Sequence, residues 1–350
     1  MIASCCAVAD ELPLLHPLFS DHAVLQRGRA VPVWGWAKAG ATIRIRFADQ
    51  ERTAKAAADG RWACQLEPLE ASAVGRNLTV DVEGTEQRME VKDLLVGDVW
   101  LCSGQSNMEM NLFRCREEQE IASAHDNGIR LLTIPKRRAY LPQRIFTGAW
   151  KACSPDALRE DGGFSAAAYF FGKKLREELG VPVGLIHASL GGTVAEAWTG
   201  AAAFGAFPEF APMLQELQTV AQSKAADPEV EYLDAWFRKH DPGTAKGWQR
   251  ADADTTAWRE VRMPGNWGDC GIKGFEGIVW LQRRMELPEA WVGKRLVVNL
   301  GAIADNDTAW INDREIGRTN GFDLPRCYEV AAGVAKAGGN VLSLRVTNFG

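Results

Sequence analysis

Histidine and metal-type cysteine patterns are scarce in this chain. It has five histidines in 350 residues, and its eight cysteines include no Cys-x-x-Cys pair and no Cys/His spacing suited to zinc. No metal or organic cofactor is therefore expected, and the cysteines read as free thiols or one or two disulfides. No apolar run approaches the roughly 20 residues that cross a bilayer, so no membrane span is expected. A basic excess is also missing, the formal net charge being −5. Nucleic acid and anionic membrane surfaces are thus poor candidates for the main partner, because phosphate binding needs concentrated Lys and Arg. The one dense basic stretch, Lys136-Arg137-Arg138, is short and reads as a solvated loop.

What is present suits a globular protein of two or three domains. Hydrophobic residues make up 46% and charged residues 24% of the chain, enough for a proper core. Thirteen tryptophans are many. Their rings can face sugars, but they also anchor β-sandwich cores, and the packing role is the plainer reading. Residues 18–92 read as β throughout. Val31–Trp36 and Thr42–Phe47 alternate apolar and polar residues, Asp59-Gly60 is a hairpin signal before Arg61–Leu66, and Leu78–Val82 alternates again. This predicts a small N-terminal β-sandwich over 1–92.

From residue 93 the period changes. A buried strand at 96–102 leads into a polar turn, and another strand follows at Ile129–Ile134. Phe164, Ala168, Phe171, Leu175 and Leu179 then mark one face of a helix that Gly180 and Pro182 stop. Val183–Ala188 is the next buried strand. Strand and helix alternating in this way predict an α/β layer with a parallel sheet over 93–247, including a helical connecting arm from 201. Residues 248–350 return to β, with strands at Ile278–Leu281, Arg295–Leu300, Ala309–Asn312 and Asn340–Val346.

The chemistry gathers at two polar turns, Ser103-Gly104-Gln105-Ser106-Asn107 and Ser189-Leu190-Gly191-Gly192-Thr193. Both follow strands at the carboxyl edge, where parallel sheets hold ligands. A serine on a tight strand-to-helix turn presents its hydroxyl outward, with backbone amides near any oxyanion. Ser106 with Glu109 is also a Ser-x-x-Glu capping box, which accounts for the serine without catalysis; the two readings are not exclusive. Gly191-Gly192 reads as a turn or a further amide donor, and Glu196 and Trp198 as capping and packing residues or site residues. A serine nucleophile needs a base. His16 and His22 lie in the first sandwich, His187 reads as a core histidine, and His125 and His240 have no partner motif. The residues alone lead to a serine hydrolase without a base.

Gly97-Asp98-Val99-Trp100-Leu101-Cys102-Ser103-Gly104-Gln105-Ser106-Asn107-Met108-Glu109 resembles the first block of the sialate O-acetylesterases, SGNH-type (GDSL-like) carbohydrate esterases. Phe19–Arg27 and Val31–Ala37 resemble that family's leading β-domain, Phe164–Gly172 its helix, and Val181–Ile186 with Gly191-Gly192-Thr193 and Glu196-Ala197-Trp198 its second block. Met263–Trp267, Phe275–Trp280 and Asp305–Asn312 resemble an inserted galactose-binding-like jelly roll of the β-galactosidase type. The resemblance implies an incomplete three-layer SGNH-like α/β domain, flanked by an N-terminal β-sandwich and the inserted jelly roll. It implies Ser106 as nucleophile, amides of Gly191 or Gly192 in the oxyanion hole, and Gln105, Asn107 and Glu196 toward an O-acetylated sugar. The family's Trp-x-Gln-Gly-Glu block, whose Gln would donate to the oxyanion, and its Asp-x-x-His-Pro block, which carries the base and its orienting acid, do not occur, so the chain is expected to be an inactive fragment. Acetylated xylan or pectin is the alternative substrate, and a non-enzymatic carbohydrate-binding protein the alternative function. Ala7-Val8-Ala9 has the spacing of a signal cleavage site, so a periplasmic or secreted location is expected.

Overall fold

The computed structural model describes residues 12–136, 139, 142–223, 228–321 and 324–348. The leader-like Met1–Asp10 segment, and Arg137 and Arg138 of the basic stretch, lie outside them. The chain divides into two compact units, Met1–Gln218 and Thr219–Gly350.

The first unit holds β1 (Val24–Gln26), β2 (Val31–Trp36), β3 (Thr42–Phe47), β4 (Gln50–Lys55), β5 (Arg61–Leu66), β6 (Ser72–Val82), β7 (Arg88–Gly104), β8 (Asp126–Thr133), β9 (Lys151–Cys153) and β10 (Val183–Ser189). One mixed eight-stranded sheet runs β4-β3-β6-β7-β10-β8-β9, with β1 also on β7, while β2 and β5 pair separately. Alternation dictates the packing: Ile43, Ile45 and Phe47 of β3 are buried, and Arg44 and Arg46 point away to Glu51, Asp81 and Glu83. The Asp59-Gly60 turn is not a hairpin, as its flanking strands hydrogen-bond into different sheets, β4 with β3 and β5 with β2.

The long strand β7 joins the β-rich and α/β parts and crosses residue 92 without a break. It pairs antiparallel with β6, takes β1 in parallel at Leu95–Gly97, and from Asp98 takes β10 in parallel. Gly97 sits at this hand-over because a Cβ there would lie 1.9 Å from the Pro182 carbonyl oxygen. β10 lies between β7 and β8, so these three form the parallel layer expected from the alternating pattern.

The helices of this unit are α1 (Ser106–Glu109), α2 (Glu118–Ser123), α3 (Pro155–Arg159) and α4 (Ala166–Leu179). Ser165 caps α4 by accepting the Ala168 amide, and Gly180, at φ +67°, ends it. The expected apolar stripe is only partly the buried one: Phe164 and Ala168 are buried, but Phe171 and Leu179 are 41% and 48% exposed. The helix instead seats Ala168, Tyr169 and Gly172. Its closest approach is at Gly172, where a Cβ would meet the buried Leu185 of β10 at 2.5 Å. Small residues thus set which face goes inward, and Phe171 turns out to meet Trp100 edge-on.

α5 (Ala211–Ala221) leads into the second unit, which contains α6 (Pro228–His240), α7 (Pro242–Lys246), β11 (Gly277–Leu287), β12 (Leu296–Ala302), β13 (Asn306–Ile311), β14 (Arg314–Asn320), β15 (Pro325–Val330) and β16 (Gly338–Asn348). An antiparallel sheet β11-β16-β13-β14 accompanies the pair β12-β15. Its core centres on Ile311, Val330 and Leu342. A fully buried ion pair lies within it: Arg326 Nε donates to Asp307 Oδ1 at 2.7 Å, and the Tyr328 hydroxyl donates to Asp307 Oδ2 at 2.9 Å. The chain is a mixed α/β sheet core with additional β-sheets.

Candidate active site

The parallel pairing of β7 and β10 brings the two polar turns together. The ladder runs to Ser189 opposite Gly104 and continues as the Leu190 amide donates to the Gly104 carbonyl at 3.0 Å. Both turns therefore leave the sheet at the same edge, side by side. Gly104, at φ +145°, turns the chain into Gln105 and α1.

Ser106 is the first residue of α1, and its side chain caps nothing; Gln105 occupies the N-cap position without a side-chain bond to the helix. The Ser106 hydroxyl is exposed and donates to Gln105 Oε1 at 3.3 Å. The capping-box reading is thereby corrected. The box fails because Glu109 is engaged elsewhere: Lys136 Nζ donates to its Oε1 and the Gly191 amide to its Oε2. Lys136, read from sequence as part of a solvated loop, is half-exposed yet holds this carboxylate. Gly191 lies beside Ser106: a Cβ added to the glycine would come within 3.6 Å of the serine Cα and Cβ. Gly192, at φ +75°, has open space where a side chain would be. Thr193 stiffens the second turn by donating to the Leu190 carbonyl and accepting from Trp198 Nε1. Asn107 and Glu196 are exposed on the two turns.

His187 lies on β10 beneath these turns, buried, with Nε2 2.6 Å from Ser189 Oγ, Nδ1 without a partner, and its ring against Phe164. Burial, and next the Lys136 charge, hold it below the ordinary histidine value, with Glu109 opposing. Burial by itself would raise the Glu109 carboxyl. The bonds from Lys136 and the Gly191 amide, with the charge of Lys136, bring it below the usual glutamate range. Ser106, Glu109, Lys136, His187 and Gly191 thus form one cluster. The sequence pattern placed Ser189 in the second turn without pairing it to His187, and nothing in the local pattern leads to Lys136.

The other histidines stand elsewhere. His16 packs on Trp34, His22 bonds Asp93, His125 is exposed, and His240 lies on Trp236. None of the five is hydrogen-bonded to Ser106. Among the described residues no group of three or more His, Cys, Asp or Glu side chains is placed to hold a metal ion, and no helix is long and apolar enough to cross a membrane.

No family model matches the chain. It is similar to the sialate O-acetylesterase of Homo sapiens, 32% identical over 197 residues, which is 50% of this chain and 36% of that protein. The Rattus norvegicus sialate O-acetylesterase is 29% identical over 183 residues, 48% of this chain and 33% of that protein. The chain therefore spans about a third of the length of the curated relatives it matches. A crystal structure of a carbohydrate acetylesterase from Xanthomonas citri aligns over 93% of this chain and 92% of its own, with a TM-score of 0.52 and 24% identity. The resemblance carried by Gly97–Glu109 is borne out at the level of these relatives.

Proposed function

We propose that this chain carries the nucleophile-bearing part of a carbohydrate O-acetylesterase that hydrolyses acetyl esters on sialic acid, and that Ser106 is its nucleophile. The observation that carries this reading is the placing of the Gly191 turn beside an uncapped, exposed Ser106 at the edge of a parallel sheet. The similarity to the human and rat sialate O-acetylesterases supports the substrate. In the chemistry, Ser106 Oγ attacks the acetyl carbonyl as its proton passes to a base. The tetrahedral oxyanion collapses, the C–O bond to the sugar breaks, and the sugar leaves with a proton. Water then adds to the acetyl-enzyme and releases acetate and the free serine. Amides of Gly191 and Gly192 face the oxyanion, and Gln105, Asn107 and Glu196 border the sugar. The Gly191 amide is held by Glu109, so that carboxylate must yield for an oxyanion to use it. No base is assigned among the described residues.

The same reading makes residues 93–247 the first part of a three-layer SGNH-like domain, residues 1–92 an N-terminal β-sandwich and residues 248–350 an inserted jelly roll. It places the protein in the periplasm or outside the cell. An alkyl fluorophosphonate followed by peptide mass spectrometry tests the nucleophile. Modification confined to Ser106, slow because no base is assigned, and lost in Ser106→Ala, is expected. Labelling spread evenly over the serines, or unchanged in Ser106→Ala, sinks the assignment. Acetate release from O-acetylated sialic acid against acetylated xylan and pectin tests the substrate.

A further inference from the structure

β2 carries two tryptophans on the face turned away from Val31 and Val33. Val31 and Val33 point into the core of the first unit, as alternation requires, which puts Trp34 and Trp36 on the opposite face. That face is covered rather than open: Trp36 is buried, and Trp34, partly buried, packs on the core and against His16 and Phe19. The two tryptophans line a cavity of about 310 Å³ together with Asp59, Arg61 and Arg144. That volume is at the lower end of the range that holds small ligands. Arg61 stands opposite Trp36 in the β2–β5 register, and Arg144 arrives from the loop between β8 and β9. His16 ties that loop to the rings: it lies 4.9 Å from Trp34 by centroid and its Nε2 donates to the Arg144 carbonyl at 3.1 Å.

The charges are unbalanced. The lining residues include two arginines and one aspartate. Asp59 Oδ1 accepts the backbone amide of Arg61 and forms no ion pair with either guanidinium. Among the described residues, neither Arg61 nor Arg144 has a carboxylate within salt-bridge distance. The cavity therefore offers the partly exposed ring of Trp34, one acceptor for hydroxyl groups, and an excess of arginine over carboxylate. A pyranose ring matches the first two through its apolar C–H face and its hydroxyls, and a carboxylate on that ring matches the third by charge-assisted, bidentate bonding to guanidinium.

We propose that the Trp34–Trp36 cavity is a binding subsite for a carboxylate-bearing sugar, and that it shares no residue with the Ser106 cluster. Binding there does not depend on the esterase reading. The strand positions the rings, and the two arginines supply selectivity for the acid over its neutral form.

The test is calorimetric titration of the full chain with N-acetylneuraminic acid and with digalacturonic acid, each beside its methyl ester. The subsite predicts millimolar or tighter binding of at least one acid, a weaker response to its ester, and weakening as salt is added. Arg61→Gln and Arg144→Gln should each reduce affinity roughly tenfold, the size of a lost charge-assisted bond. Both side chains are exposed, so thermal midpoints should stay with the parent. Ser106→Ala should bind as the parent does, which separates this outcome from that of the nucleophile assignment. Which acid binds more tightly identifies the source, sialate or uronate. Binding of neither acid overturns the proposal, as does equal binding of acid and ester or unchanged affinity in both arginine variants.

Discussion

At the scale of single residues, the cluster around Ser106 is held by charge. Glu109 fastens α1 to the second turn through the Gly191 amide and to the following loop through Lys136. Its carboxyl lies below the ordinary value of 4.5. A depressed folded-state value contributes stability above the unfolded value, and that contribution is lost as pH falls through the folded one. His187 behaves alike from a higher starting point: it is held below 6.5, so on acidification the unfolded chain takes up its proton first. Stability of the first unit should fall as pH drops from 7 toward 5 because of His187, and again below about 4.5 because of Glu109. Urea denaturation across this range should give a flatter profile above pH 5 in His187→Gln and below it in Glu109→Gln. An unchanged profile in both variants would remove the cluster as the source. Glu109→Gln should also free the Gly191 amide of its anionic partner and alter the rate of fluorophosphonate labelling at Ser106.

At the scale of elements, one packing decision in each unit invites a test. The first is the hand-over along β7, which only Gly97 allows, as a Cβ there would collide with backbone that has no rotamer to yield. Gly97→Ala should destabilise the first unit by about 3 kcal/mol or more and reduce soluble yield, followed by denaturant midpoint. The second is the buried Asp307–Arg326 pair in the second unit. Removing one partner leaves the other's charge uncompensated, so Asp307→Ala should lose about 3–5 kcal/mol. Replacing both residues with apolar ones of similar size should cost much less. If the single and double variants lose the same amount, the pairing is not what the burial rests on.

At the scale of the whole molecule, the compact units have separate cores: the first has one cluster around Ile45 and Leu94 and another around Leu185, the second a cluster around Ile311 and Leu342. Calorimetry should therefore resolve two thermal transitions. Gly97→Ala should lower one of them and Asp307→Ala the other. A single transition moved by both variants would contradict that expectation.

The sequence by itself determined the elements whose pattern is local. Val31–Trp36, Arg61–Leu66 and Val183–Ala188 were legible because a strand with one buried face alternates, and a buried parallel strand is mostly apolar. The motif at Ser106 was legible for the same reason, being contiguous. Only the tertiary structure decided what depends on residues far apart. It placed Gly191 against Ser106, sent Glu109 to Lys136 and Gly191 instead of to a cap, turned Phe171 outward so that Gly172 could approach Leu185, and set Asp59-Gly60 between two sheets. Each of these is a choice among partners that local propensity leaves nearly equal in energy. Backbone collisions and charge pairing across the fold, absent from any short window of sequence, break the tie.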